Sequence, residues 1–200
     1  MKKLLSKLYS TFGLKNTKPE NIISNEPLNL KKIEQASKII KELHSQMQDL
    51  ASEGYGPFVA AVYDQNGNLI AKAANSVVNE VCSNNHAEIN AIKKAQEKLE
   101  TYDLSSYNLS IYITAEPCMM CIGAIMWSGI KNVYYSVPSK TVEKITGFDE
   151  GFKPSWLKEF KKRGIIVYGN IDAKDGEFEL KQYVNSGKTI YKPGLKSTNT

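Results

Sequence analysis

Arginine is almost missing from this chain of 200 residues: Arg163 is the only one among 26 lysines and arginines. Arginine is the side chain suited to forked recognition of phosphates and guanine edges. The formal net charge of +5 therefore reads as solvated lysine surface rather than as a nucleic-acid footprint. Cysteine is scarce as well. Three cysteines cannot build a framework of two or more disulfides, and the close pair Cys118 and Cys121 suits chemistry in a reducing cytosol better than stapling. No apolar run approaches the roughly 20 residues that a membrane-spanning helix needs, so no transmembrane segment is expected. With 42% apolar and 24% charged residues, the chain has the balance of one ordinary globular domain.

The first stretch, residues 1–14, carries Leu4, Leu5, Leu8 and Phe12 at helical spacing with Lys2, Lys3 and Lys7 between them. It could touch an anionic membrane surface or dock on a partner, although a locally packed terminus is the more ordinary reading. Residues 15–29 contain Pro19, Pro27 and four asparagines without periodicity, and read as a linker. The expected division is thus an extension and linker at 1–29, a main domain at 30–195 and a tail at 196–200.

Within the main domain, Leu30 to Leu50 has the apolar stripe of one helix, with Asn29 as its cap. Phe58–Tyr63 and Leu69–Ala74 read as strands joined across Asp64-Gln65-Asn66-Gly67-Asn68, whose Asn-Gly pair favours a hairpin turn. A helix is expected from His86 to about Glu100, a strand at Leu109–Thr114, a helix at Pro117–Ser128 closed by Gly129, and a strand at Asn132–Ser136. A helix near Ser155–Lys162, a strand at Ile165–Tyr168 and a helix in the tail from Glu177 complete the reading. The 28 residues between the last two strands suit a helical crossover, so those strands should be parallel.

Two pieces 32 positions apart carry the chemistry: His86-Ala87-Glu88, and Glu116-Pro117-Cys118-Met119-Met120-Cys121. Two cysteines three apart at a helix start can place both sulfurs on one small cation, and a distant histidine adds a third donor. Thiolate and imidazole in a tetrahedral set suit zinc. A structural zinc would want a fourth protein donor, for which Cys82 and His44 are the remaining candidates. Three donors with an open place is the catalytic pattern, and it is favoured here. Glu88 admits two readings. With Asn85 it could form a capping box that closes the helix start. Alternatively, it lies at the same helix end as His86 and moves protons beside the metal.

His-x-Glu followed by Pro-Cys-x-x-Cys resembles the zinc-dependent cytidine deaminase superfamily. The similarity runs from about Gly56 to Phe152 and looks closest to the bacterial guanine deaminases, through Gly56-Pro57-Phe58, Asn75-Ser76-Val77, Ala124-Ile125-Met126-Trp127 and Gly147-Phe148-Asp149-Glu150-Gly151-Phe152. That resemblance implies a three-layer α/β/α sandwich around a mixed five-stranded sheet with its last two strands parallel. It implies that His86, Cys118 and Cys121 bind one zinc per chain and that Glu88 is the catalytic proton carrier. Asn75 and Asp149 would hold the edge of a free purine base, and Trp127 would line the pocket. Simple packing for Trp127 and a surface turn for Asp149 are the plainer alternatives. The implied reaction is guanine to xanthine plus ammonia, in a cytoplasmic homodimer. A swapped C-terminal segment could carry Tyr183 or Tyr191 into the partner's site.

The loop Cys82-Ser83-Asn84-Asn85 departs from the family's usual Asp-Pro-Thr-Ala. The rival substrate is adenosine in transfer RNA, with Lys153, Lys158, Lys161, Lys162 and Arg163 as a basic stretch. The single arginine and Trp127, where those enzymes usually have histidine, disfavour it. A non-catalytic, zinc-stabilised scaffold is the rival of another class.

Overall fold

Short strands rich in β-branched and aromatic residues alternate with amphipathic helices along residues 19–191, the part of the chain that the computed structural model describes. The stripe at residues 1–14 and the tail at 196–200 lie outside the described residues. The strands are β1 (Ile23–Ser24), β2 (Val59–Tyr63), β3 (Leu69–Ala74), β4 (Ser110–Ala115), β5 (Asn132–Val137) and β6 (Ile166–Gly169). The helices are α1 (Leu30–Ser45), α2 (Met47–Ser52), α3 (Ala87–Lys98), α4 (Met119–Ser128), α5 (Ser139–Thr146), α6 (Trp156–Lys162) and α7 (Ala173–Asn185).

The strands form one sheet in the order β1-β6-β5-β4-β2-β3. β4, β5 and β6 run parallel, whereas β2 is antiparallel to both β3 and β4. The expected parallel pairing of the last two strands is therefore present, and the sheet is mixed. Its strand count differs from the expected five. The sixth strand, β1, pairs antiparallel with β6 from within the stretch read as a linker. Two paired residues are too few to show an alternating pattern, so no strand signal stands there. Asn25 fixes the pairing instead: its Nδ2 donates to the carbonyls of Leu157 and Ile165, and its Oδ1 accepts from the Val167 N–H.

Helices cover both faces of the sheet. On one face α1, α5 and α7 bury Ile33, Ile40, Leu43, Val142 and Leu180 against Val59, Ala61, Tyr112 and Tyr134. On the other, α3, α4 and α6 bury Ala91, Ile92, Ile125, Trp156 and Phe160 against Ala60, Val62, Ile111 and Val133. Alternate residues of β2 thus serve opposite cores, as strand geometry requires. Each fully buried Ile or Leu contributes roughly 1.5–3 kcal/mol. Tyr112, Tyr134 and Tyr168 stack with ring centroids 4.8 and 5.7 Å apart, and Tyr63 meets Tyr112 edge-on at 5.4 Å, a run across four strands that pins the register.

Three helical details depart from the sequence reading. The expected Leu30–Leu50 helix is interrupted at Gln46, where the chain starts a second helix. Crossover helix α5 was not anticipated, because its eight residues are too few for a clear period. The last helix starts at Ala173, ahead of its first large apolar residue, and is fixed by the backbone of Asp172, which accepts from Asp175 and Gly176.

Candidate active site

The parallel strands β4 and β5 send their following helices to opposite faces of the sheet. Such a divergence opens a crevice at the carboxyl ends of the strands, where α/β sheets bind their ligands. β4 ends at Ala115 and runs directly into Glu116, Pro117 and Cys118. Cys118 is the cap residue of α4 and His86 is the cap residue of α3, so two helix N-termini face one point. Pro117 stands just before the cap and not at the first helical position.

Neither cap makes a side-chain hydrogen bond to its own helix, which leaves both side chains free for other work. The capping-box reading of Glu88 is not what forms: His86 is the cap, and the Asn85 amide donates instead to Glu80 Oε2 at 2.6 Å. Glu88 is 6% exposed, with its carboxyl beside the trio, in hydrogen-bond reach of Cys121 and of its own backbone N–H.

His86 Nδ1, Cys118 Sγ and Cys121 Sγ form a triangle with all three sides at 3.6 Å. Tetrahedral zinc with its usual bond lengths separates two sulfurs by about 3.8 Å and sulfur from nitrogen by about 3.6 Å. The triangle fits that ion closely. It is the cluster among the described residues whose donors lie near enough to hold a metal. Neither candidate for a fourth donor joins it: Cys82 is exposed, and His44 is buried against α7. Three protein donors leave one tetrahedral position for water or substrate, as in catalytic zinc sites.

The electrostatics are those of a site built around a cation. The hydrogen bond from Cys121 holds the Cys118 thiol down at about 4 against the cost of burial, with His86 helping. The same hydrogen bond, burial and the charge of Glu88 push the Cys121 thiol up. Burial opposes a charge on His86, but Cys118 and Glu88 outweigh it and raise its pKa. For Glu88, burial followed by the Cys118 charge pushes the carboxyl above its ordinary range.

A cavity of about 380 Å³ opens onto the trio, at the small end of the range for ligand pockets. Asn75, Asp149, Tyr183 and Tyr191 all line it, within this one chain. Asn75 lines the cavity, and its Oδ1 accepts from the Val77 N–H at 3.2 Å, which leaves the amide nitrogen as the group able to donate elsewhere. Asp149 is exposed, and its Oδ1 closes a turn by accepting from the Gly151 N–H at 2.9 Å. The Tyr183 hydroxyl donates to the Thr189 carbonyl.

Trp127 is elsewhere. It is 83% exposed and does not line the cavity, contrary to the expectation from sequence. The reason is helical phase: Trp127 lies six residues beyond Cys121, about one and two-thirds turns, on the outer side of α4. A residue that the sequence reading passed over stands close to where Asp149 was expected to act. The Glu150 side chain is 11% exposed, and burial pushes its carboxyl up to about 7 against the pull of Lys153, with the charges of Cys118 and Glu88 adding to the rise.

Fold and donor set together describe a zinc site of the catalytic type, with a buried acid beside the metal position at the carboxyl end of an α/β sheet. A family model described as the cytidine and deoxycytidylate deaminase zinc-binding region matches residues 33–137. The chain belongs to that family and is a hydrolase acting on C–N bonds. It is 38% identical over 108 residues to the guanine deaminase of Bacillus subtilis, covering 52% of this chain and 67% of that protein. It is 40% identical over 82 residues to the transfer-RNA-specific adenosine deaminase of Aquifex aeolicus, covering 41% of this chain and 53% of that one. Among solved structures, guanine deaminase from Nitrosomonas europaea superposes with a TM-score of 0.71 at 36% identity, over 74% of this chain and 83% of the other. A structure in complex with 2,6-diaminopurine superposes with a TM-score of 0.73 at 35% identity, over 78% and 85% of the two chains.

Proposed function

We propose that this chain deaminates a free purine base, guanine first, adding water at the amino-bearing carbon and releasing ammonia and xanthine. The observation that carries this is a buried carboxyl, Glu88, beside a three-donor triangle of zinc dimensions at the end of a small cavity that Asn75 also lines. His86, Cys118 and Cys121 would hold the zinc, which makes water a ready nucleophile near neutral pH. The Glu88 carboxylate accepts one proton from the attacking water and delivers it to the ring nitrogen, then takes the second from the added hydroxyl and delivers it to the departing amine. One C–O bond forms, one C–N bond breaks, and both protons end on nitrogen. Asn75 donates its amide N–H groups to an acceptor on the purine edge. Glu150 and Asp149 supply the acceptors for its N–H groups. A base lacking either partner would leave buried polar groups unpaired, which discriminates strongly.

The guanine deaminase relatives and purine-bound neighbours support this reading. Transfer-RNA-specific relatives are the other direction in which the comparisons point. Of the basic stretch, Lys153 turns inward, Lys161 pairs with Glu26, and Lys162 and Arg163 pair with Glu159 at the surface, which leaves Lys158 as the member with no such acidic neighbour among the described residues. A homodimer in the cytosol completes the proposal. Trp127, exposed on α4, is the apolar side chain such an interface would cover, and a reducing compartment suits a thiolate site.

The test is ammonia release from guanine, adenine, cytosine, their nucleosides and an adenosine anticodon stem-loop, with zinc measured on the same sample. Turnover of guanine ahead of the others is expected. Activity confined to RNA would overturn the choice of substrate, and no turnover at full zinc loading would overturn the enzyme reading. Sedimentation of the wild-type chain and of Trp127→Glu reads the dimer.

A further inference from the structure

Residues 147–154 have no regular structure, yet they form a wall of the cavity through Phe148, Asp149, Glu150 and Gly151. Something must hold such a strap in place. Its first end is secured in two ways. The Phe148 N–H donates to Thr146 Oγ1 at 3.0 Å, and the Phe148 ring packs on Phe58 with centroids 5.5 Å apart.

The other end is secured by charge. The Lys153 side chain is 12% exposed, and its ammonium lies 3.7 Å from Glu116 Oε1 and 3.8 Å from Glu150 Oε2. It also donates to Ser139 Oγ at the start of α5. Glu116 is anchored independently of the lysine: Oε2 accepts from the Ser139 N–H at 3.0 Å and Oε1 from Trp156 Nε1 at 3.3 Å. Glu116 belongs to the rigid turn that carries Cys118, whereas Glu150 belongs to the strap. One ammonium therefore spans the fixed part of the site and its irregular wall. Without it, two carboxylates with side chains 14% and 11% exposed would face one another with no cation between them. Like charges in so dry a place repel strongly.

We infer that Lys153 is a positioning residue: its ion pairs to Glu116 and Glu150 latch the 147–152 strap, and with it Phe148 and Glu150, against the cavity. It touches no substrate and acts through the strap. The activity readout below rests on the proposed deaminase function, whereas the exchange readout does not.

The experiment compares the zinc-loaded full chain with Lys153→Met, Lys153→Arg, Glu150→Gln and the Lys153→Met/Glu150→Gln double variant by amide hydrogen exchange, thermal melting and guanine kinetics. In Lys153→Met the amides of Phe148 and Gly151 should exchange at least about tenfold faster while those of β4 and β5 keep their rates. KM for guanine should rise by about tenfold with kcat changed less, and Lys153→Arg should recover most of both effects. Glu150→Gln should loosen the same amides, and the double variant should loosen them no further than Lys153→Met alone. If Lys153→Met does not fold, Lys153→Arg and Glu150→Gln carry the exchange comparison. Unchanged strap exchange, loosening spread evenly over the fold, or a loosened strap with unaltered KM would overturn the inference. A wild-type chain that turns over no base would refute the proposed function instead and leave exchange to decide the latch.

Discussion

His44 lies on α1, 3% exposed, where a Cβ added to Gly176 would come within 2.8 Å of its Nε2. Neither ring nitrogen makes a well-formed hydrogen bond among the described residues; the Thr114 carbonyl comes near enough to attract the ring. Burial depresses its pKa from 6.5 to about 4, Asp172 opposing that and Lys41 adding to it, with a weak upward pull from the Thr114 carbonyl. Because the folded value lies below the unfolded one, folding favours the neutral ring. Its contribution to stability is complete above pH 6.5 and is lost as the pH falls through the window down to about 4. A displacement of this size is worth about 3 kcal/mol in full, and about 2 kcal/mol by pH 5. His44→Met removes the titrating group and the unpaired nitrogens while roughly conserving volume. Urea unfolding of zinc-loaded wild type and variant at pH 7, 6 and 5 reads the effect, since loss of zinc at low pH affects both alike. The variant should gain on the wild type by about 2 kcal/mol between pH 7 and pH 5. Parallel pH curves would refute the reasoning.

Other changes test the site directly. Glu88→Gln should lower kcat by about 10²-fold or more while zinc per chain stays at the wild-type level, whereas a scaffold would keep its function. Cys118→Ala leaves two donors of the triangle, so zinc content measured after dialysis should fall well below one per chain. Gly56→Ala places a Cβ 2.8 Å from Asn75 Oδ1 and 3.0 Å from its Cγ, so the amide must turn away. KM for the purine should rise about tenfold, about 1.4 kcal/mol of lost binding, with zinc unchanged.

What could be read from the residues follows the range of the forces involved. The metal donors were legible because Cys118 and Cys121 are three apart at a helix start, and because His86-Ala87-Glu88 opens another helix. Both are local constraints. Strands β2 to β6 were legible from their runs of β-branched and aromatic residues. The place of Trp127 was not, because α4 is apolar all round and gives no sign of which side faces inward. Glu150 was hidden by its neighbour Asp149, since adjacent acids in an irregular segment carry no phase. Its signal was Lys153, three residues on, which the sequence reading had placed in a surface basic stretch. A lysine buried between two carboxylates and a lysine in solvent look alike until the fold brings Glu116 alongside.

The charge of the cavity bears on which molecules can enter it. Glu88, Glu116, Asp149 and Glu150 all line it, and no lysine or arginine does among the described residues. The nearest ammonium, Lys153, is already shared between two of those acids. Two thiolates with one zinc are neutral as a set, so the ion offsets its own ligands and adds no net positive charge beyond that of Lys153 to balance four acids. Burial pushes the Glu88 and Glu150 carboxyls upward, and the charge of Glu88 adds to the rise of Glu150. A phosphate brought to that wall would meet repulsion with no guanidinium to bind it, and RNA recognition draws much of its affinity from phosphate contacts. An uncharged base that presents N–H donors to acids and an acceptor to Asn75 meets no such penalty. The acids of this wall therefore support the proposed substrate, a base without a phosphate.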